Sequence, residues 1–129
     1  MEILDRKQWK IPEDKWKSDC PLCKEENLCI WEWKHLKVIH NKYAVNGLKN
    51  HYMLIPKRHI VFIKELNDEE ILEIREAEIF LEGQYGDQRY FSFTRNALEN
   101  RSLEHLHYHY MPGNIYYSTL ENMMKDQGL

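Results

Sequence analysis

His105-Leu106-His107-Tyr108-His109-Tyr110-Met111 sets three of the chain's seven histidines on every second residue. A β-strand sends successive side chains to opposite faces, so this alternation predicts a strand with His105, His107 and His109 on one face. Leu106, Tyr108 and Tyr110 then fall on the other face, against a core. At about 3.3 Å rise per residue, successive imidazoles lie roughly 6–7 Å apart. Metal–nitrogen bonds of about 2 Å do not let one ion gather all three easily, so the spacing suggests divided labour. Two plainer readings stay open for the stretch by itself: an exposed histidine-rich strand, or a metal site using two of the three.

Working outward, Arg89-Tyr90-Phe91-Ser92-Phe93-Thr94-Arg95 alternates as a strand with Phe91 and Phe93 on one side. Residues 96–102 form a polar loop that leads into the histidines. Pro112-Gly113 closes the histidine strand. Ile115-Tyr116-Tyr117 reads as a last short strand, and the tail to residue 129 as a helical turn. Further upstream, His51-Tyr52-Met53-Leu54-Ile55 is a strand stopped by Pro56, whose missing N–H cannot join a ladder. Leu28-Cys29-Ile30-Trp31-Glu32-Trp33 and Leu36-Lys37-Val38-Ile39-His40 are two more strands, with Lys34 and His35 at the turn. Residues 41–50, which include Gly47, read as a loop.

One helix is expected from 68 to about 82. Asn67 is its N-cap, and Glu70 stands three residues on, as a capping box requires. Ile71, Ile74, Ala77 and Leu81 recur at helical spacing with Phe80 beside them, and Gly83 and Gly86 end the pattern. Together these elements predict one α+β domain, an antiparallel sheet with a main helix packed on one face. Residues 1–19 read as an irregular or partly helical extension whose Trp9 and Trp16 pack onto the domain formed by residues 20–129.

Composition narrows the function classes. The chain has 129 residues, 43% hydrophobic and 30% charged, which is an ordinary globular balance. Its net charge of −3 offers no general electrostatic footprint for nucleic acid. No run of 18 apolar residues is present, so no transmembrane helix is expected. Residues 1–17 are polar and lack the apolar centre of a signal peptide, which points to the reducing cytoplasm. Three cysteines in that compartment read as metal ligands or free thiols rather than a disulfide framework. Cys29, on a strand, reads as a small buried apolar residue.

Two chemical clusters stand out. His107 and His109 follow a loop carrying Asn96, Asn100, Arg101 and Ser102, whose amide, guanidinium and hydroxyl donors suit phosphate oxygens. Cys20, Cys23, His59 and His105 supply two thiolates and two imidazoles, the donor set of a closed tetrahedral zinc site. A redox pair or two free thiols at Cys20 and Cys23 is the competing reading.

The chain resembles the histidine-triad (HIT) family, whose signature is His-x-His-x-His followed by apolar residues. His105, His107, His109, Tyr110 and Met111 match it. Asn50-His51-Tyr52-Met53-Leu54-Ile55-Pro56-Lys57-Arg58-His59-Ile60 is similar to the family's second hallmark, a strand ending in Ile-Pro-Lys-x-His-Ile. Asn96 and Ser102 also match, and the resemblance covers roughly residues 20–113. Many relatives carry Gly-Gln before that serine, where this chain has Asn100-Arg101, and the loop from Asn96 to His105 is slightly shorter here.

The resemblance implies an enzyme that cleaves a nucleotide α-phosphate linkage through a nucleotidyl-histidine intermediate. Candidate substrates are dinucleoside polyphosphates, nucleoside phosphoramidates and similar conjugates. His107 takes the nucleophile's place, its second ring nitrogen held as a donor by a backbone carbonyl of the triad stretch. His109, Asn96 and Ser102 fall where the family binds phosphate. His51 matches a position near the phosphates, with a core role equally open, and Asn41 a ribose-binding position. Zinc-bearing branches of the superfamily place their ligands at the positions of Cys20, Cys23, His59 and His105. The resemblance also implies a homodimer. Hydrolysis is favoured over transfer to another acceptor. A nucleotide-binding sensor or interaction module with little turnover is the alternative.

Overall fold

Side chains of the central strands alternate between two buried faces, and this alternation organises the domain. The computed structural model describes residues 15, 18, 20–24, 28–97 and 103–129. Trp9, Trp16, Asn100, Arg101 and Ser102 lie outside the described residues. Five strands are present among them: β1 (Cys29–Glu32), β2 (Leu36–His40), β3 (Tyr52–Pro56), β4 (Tyr90–Phe93) and β5 (Tyr108–Pro112). They form one antiparallel sheet in the order β1-β2-β3-β5-β4. A long helix, α1 (Asp68–Tyr85), joins β3 to β4, and a second, α2 (Tyr117–Asp126), ends the chain.

Leu36, Val38, Leu54 and Tyr110 face α1 and pack on Ala77, Leu81 and Tyr85. The intervening residues Ile39, Met53 and Ile55 face the other way, where Cys20 and Leu22 cover them. Burial of both faces explains why β2 and β3 read as nearly continuous apolar runs. The register Met53↔His109↔Phe93 aligns three strands across the second face.

Helix α1 begins where the capping box placed it. Asn67 Oδ1 accepts the Glu70 N–H at 2.9 Å, and Glu70 Oε1 accepts the Asn67 N–H at 2.9 Å. Gly86, at φ 60°, ends the helix one residue after Tyr85, so Gly83 lies inside it. The buried stripe differs from the expected one at its first position. Ile71 is 52% exposed, and Glu70 is 1% exposed in its place. Arg58, from the loop after β3, lands over the first turn and donates to both Glu70 carboxylate oxygens, at 2.8 and 3.3 Å. A carboxylate there serves the cap and the cation together. Farther along, Glu73 Oε1 accepts the N–H groups of His35 and Leu36, both at 2.9 Å, and ties the β1–β2 turn to the helix.

Two other expectations need correction. Ile115-Tyr116-Tyr117 is not a strand: Tyr117 opens the ten-residue helix α2. β5 already has β3 and β4 as neighbours, and Tyr117, Leu120 and Met124 recur at helical spacing. Cys29 is exposed rather than buried, because β1 is an edge strand and its first residue faces solvent. No helix among the described residues is long and apolar enough to cross a membrane.

Burial opposes a charge on Glu70, but the Arg58 guanidinium and the Asn67 N–H overcome it and hold its pKa below the usual carboxylate range. A depressed folded-state pKa stabilises the protein above the unfolded value of about 4.3, and that stabilisation disappears as pH falls through the folded value. Arg58 is half exposed, so Glu70→Gln is expected to cost about 1–2 kcal/mol at pH 7. The gap between wild type and variant should close in thermal melts taken below about pH 4. A gap that persists there would contradict this account.

Candidate functional site

The histidine stretch joins the sheet later than its alternation predicts. Ladder pairing starts at Tyr108, opposite Leu54. His105 and His107 precede it outside the ladder, with a bend at His105, and the Leu106 N–H donates to the Ile60 carbonyl at 2.7 Å. The reason lies in Pro56: the β3–β5 register puts it opposite Leu106, and it has no N–H with which to carry that ladder further. Beyond it the chain turns away, and the histidine approach follows that turn instead of a straight strand.

This departure brings His105 to His59. His105 is fully buried. Its Nε2 lies 2.8 Å from the Pro56 carbonyl oxygen, which can only accept, so Nε2 carries the proton. Nδ1 then presents its lone pair to Cys20 Sγ and Cys23 Sγ, each at 3.4 Å. His59 Nδ1 stands 3.2 Å from Cys23 Sγ. The four donor atoms all lie within 4.8 Å of one another and could hold a metal ion. Bond lengths of about 2.3 Å to sulfur and 2.0–2.1 Å to nitrogen give a tetrahedral S···N edge of about 3.6 Å, close to these separations. A carbonyl holding the remote imidazole N–H is the usual support for a metal-bound histidine. The donor set and its spacing therefore fit a tetrahedral divalent ion.

Burial, with the neighbouring Cys23 adding to it, pushes the metal-free Cys20 thiol up to about 11. Burial also pushes His105 down to about 4. Cys29, exposed at the start of β1, is not part of this cluster.

The other two triad histidines face a second group. His107 is buried, and its Nδ1 donates to the His105 carbonyl at 2.7 Å. A neutral ring with its proton fixed on Nδ1 keeps a lone pair on Nε2. Thr94, just past β4, donates its hydroxyl to the His107 carbonyl at 3.0 Å and anchors that backbone.

His51 is buried against His109. The Val45 N–H donates to His51 Nδ1 at 3.1 Å, which places that ring's proton on Nε2. Nε2–H in turn donates to His109 Nδ1 at 3.0 Å. His109 therefore carries its own proton on Nε2. Phe93 stacks on the His109 ring, with centroids 4.8 Å apart and a 17° interplanar angle. Asn41 is also buried. Its Oδ1 accepts the Tyr43 N–H at 2.8 Å, and its Nδ2 lies 3.1 Å from His51 Nε2.

The structure thus gathers Cys20, Cys23, His59 and His105 into one cluster, and His107, His109, His51 and Asn41 into an adjoining one. Asn96 is exposed, two residues after Thr94. Ser102 lies outside the described residues. Thr94 and the Val45 amide carry no signal in the sequence, because each acts on or through the main chain.

No protein-family model matches the chain, and no curated protein matches it. Solved structures do. A member of the HIT family from Bacillus subtilis is 18% identical, with a TM-score of 0.60 over 85% of this chain and 95% of its own. A HIT family protein from Bacillus anthracis is 17% identical, with a TM-score of 0.62 over 85% and 93%. A HIT family hydrolase from Legionella pneumophila is 20% identical, with a TM-score of 0.59 over 75% and 95%. At these identities the likeness is one of fold, and the chain has the fold of HIT proteins.

Stripping metal from purified protein with a chelator is expected to lower its melting temperature by roughly 5 °C or more. Cys20→Ser should abolish that difference. An unchanged melt after chelation, with metal analysis finding none in the starting material, would contradict a metal centre here.

Proposed function

We propose that the chain is a histidine-triad enzyme that cleaves a nucleotide α-phosphate linkage, with His107 as nucleophile. One observation carries the reading. The His105 carbonyl fixes the His107 proton on Nδ1, so the nucleophilic lone pair is aimed by the backbone and needs no deprotonation step.

In the first half-reaction His107 Nε2 forms a bond to the α-phosphorus. The bond to the leaving group breaks, and that group departs with the electron pair. Water then attacks the phosphorus of the nucleotidyl-histidine, Nε2 leaves with its pair, and the water's proton is released to solvent. The His109 Nε2–H donates to a non-bridging phosphate oxygen, where charge builds in both steps. His51 fixes the direction of that donor through the 3.0 Å bond to His109 Nδ1. Asn41 supplies an amide to the ribose, and Asn96 and Ser102 bear on the phosphate by their match to the family pattern. Dinucleoside polyphosphates and nucleoside phosphoramidates are the substrate classes to test first, with water favoured as acceptor and a homodimer as the assembly.

Cys20, Cys23, His59 and His105 would hold zinc. When bound, the ion supplies a closed four-ligand crosslink, with the Pro56 carbonyl supporting His105 from behind.

His107→Ala is expected to lower turnover of the best conjugate at least about 10³-fold. His109→Ala should lower it by roughly 10²–10³-fold. Intact mass of wild type quenched with a slow substrate should show one nucleotidyl adduct, absent in His107→Ala. Wild-type turnover in His107→Ala would refute the nucleophile. Tight nucleotide binding with no conjugate cleaved across the panel would favour a sensor.

A further inference from the structure

Lys37 stands at an unusual place for a cation. It is the second residue of β2, on the face where Ile39, Ile55 and Leu22 pack, and is only 6% exposed. Among the described residues its ammonium has no hydrogen-bond or ion-pair partner. Lysine is rarely buried to this degree without a counter-charge, because desolvating an ammonium is costly. Its methylene stem can cover apolar neighbours, but the head group needs somewhere polar to go.

Such a place exists. A cleft of about 130 Å³ is lined by Lys37, Lys57, Glu32, Leu22 and Cys23. It shares only Cys23 with the metal-ligand cluster. Glu32 is already engaged, its carboxylate 3.2 Å from the Lys57 ammonium. The two ammoniums and one carboxylate sum to one net positive charge, and Cys23 belongs to a set of two thiolates that a divalent ion would leave neutral as a unit. That balance repels a cation and attracts an anion. Lysine heads bind phosphate as point charges from any side, whereas planar carboxylate recognition favours the arginine fork. The cleft volume has room for one tetrahedral oxyanion.

We propose that the Lys37–Lys57 cleft is an anion site separate from the imidazole cluster, taking a phosphate or sulfate group, free or terminal on a larger molecule. Lys37 supplies the unengaged charge, and Lys57 contributes while bridged to Glu32. The proposal is independent of the enzymatic reading, since it uses none of the triad histidines.

Inorganic phosphate titrated into the full-length, metal-replete, ¹⁵N-labelled protein tests it by amide shifts. Saturable shifts are expected at Leu22, Glu32, Lys37 and Lys57. Shifts at Asn41 and His51 report any binding at the imidazole cluster separately. Lys37→Met keeps the stem and removes the charge, so it should fold and weaken the first set of responses at least about tenfold. Glu32→Gln should tighten them, because it removes the competing carboxylate. A sulfate titration should give the same pattern, and acetate a weaker one. Linear, unsaturable shifts at the four positions, or equal affinity in wild type and Lys37→Met, would overturn the proposal. So would weakening in Glu32→Gln.

Discussion

His105 joins three parts of the molecule through three different groups. Its Nε2–H is held by the Pro56 carbonyl, its Nδ1 faces two thiols, and its own carbonyl holds His107. Each bond limits the others. The ring cannot turn toward the thiols without the proton on Nε2, and Pro56 is the acceptor that keeps it there. The carbonyl cannot reach His107 unless the backbone stays on its bent approach to β5. One buried residue thereby couples the end of β3, the Cys20–Cys23 knuckle and the orientation of the neighbouring imidazole.

The sheet supplies the platform for this arrangement. Its α1 face is closed by Leu36, Val38, Leu54 and Tyr110, with Ala77, Leu81 and Tyr85 from the helix. The Tyr110 hydroxyl donates to Glu78 of the same helix. The opposite face carries the Cys20, Cys23, His59 and His105 cluster and the imidazoles of His51, His107 and His109. Buried polar groups on that face are partnered in chains, from the Val45 amide through His51 to His109, and from Thr94 to the His107 carbonyl. In low dielectric, satisfied networks of this kind fix one set of rotamers and tautomers.

Much of this was legible from residue types and spacing. Asn67 and Glu70 marked the start of α1, and the cysteine–histidine set marked the residues that converge around His105. The misreadings share a physical origin. Ile71 fitted the helical stripe, but a tertiary partner, Arg58, favoured a carboxylate at the neighbouring position. Cys29 looked internal by composition, yet an edge strand exposes it. The alternation of the histidines predicts a single straight strand, whereas Pro56 has no N–H to extend the β3–β5 ladder past Tyr108, which leaves His105 and His107 outside it. Ile115-Tyr116-Tyr117 has strand-like residues, but β5 already had a neighbour on each side. Long-range pairing decided each case, and local pattern carries little information about it. Asn100 and Arg101, where this chain departs from the family pattern, and Ser102, which matches it, lie outside the described residues.

The polarity of two rings depends on the amide of Val45. Its side chain points into solvent, and the 3-10 turn it opens includes Asn46 at φ 52° and Gly47 at φ 67°. Alanine scanning of this turn would register Val45 as silent, although its main chain decides which nitrogen of His51 and of His109 bears hydrogen. Only chemistry that alters the backbone itself, a proline or an ester linkage at that position, can expose the dependence. A residue can thus be indifferent in its identity and still orient the groups that meet the ligand.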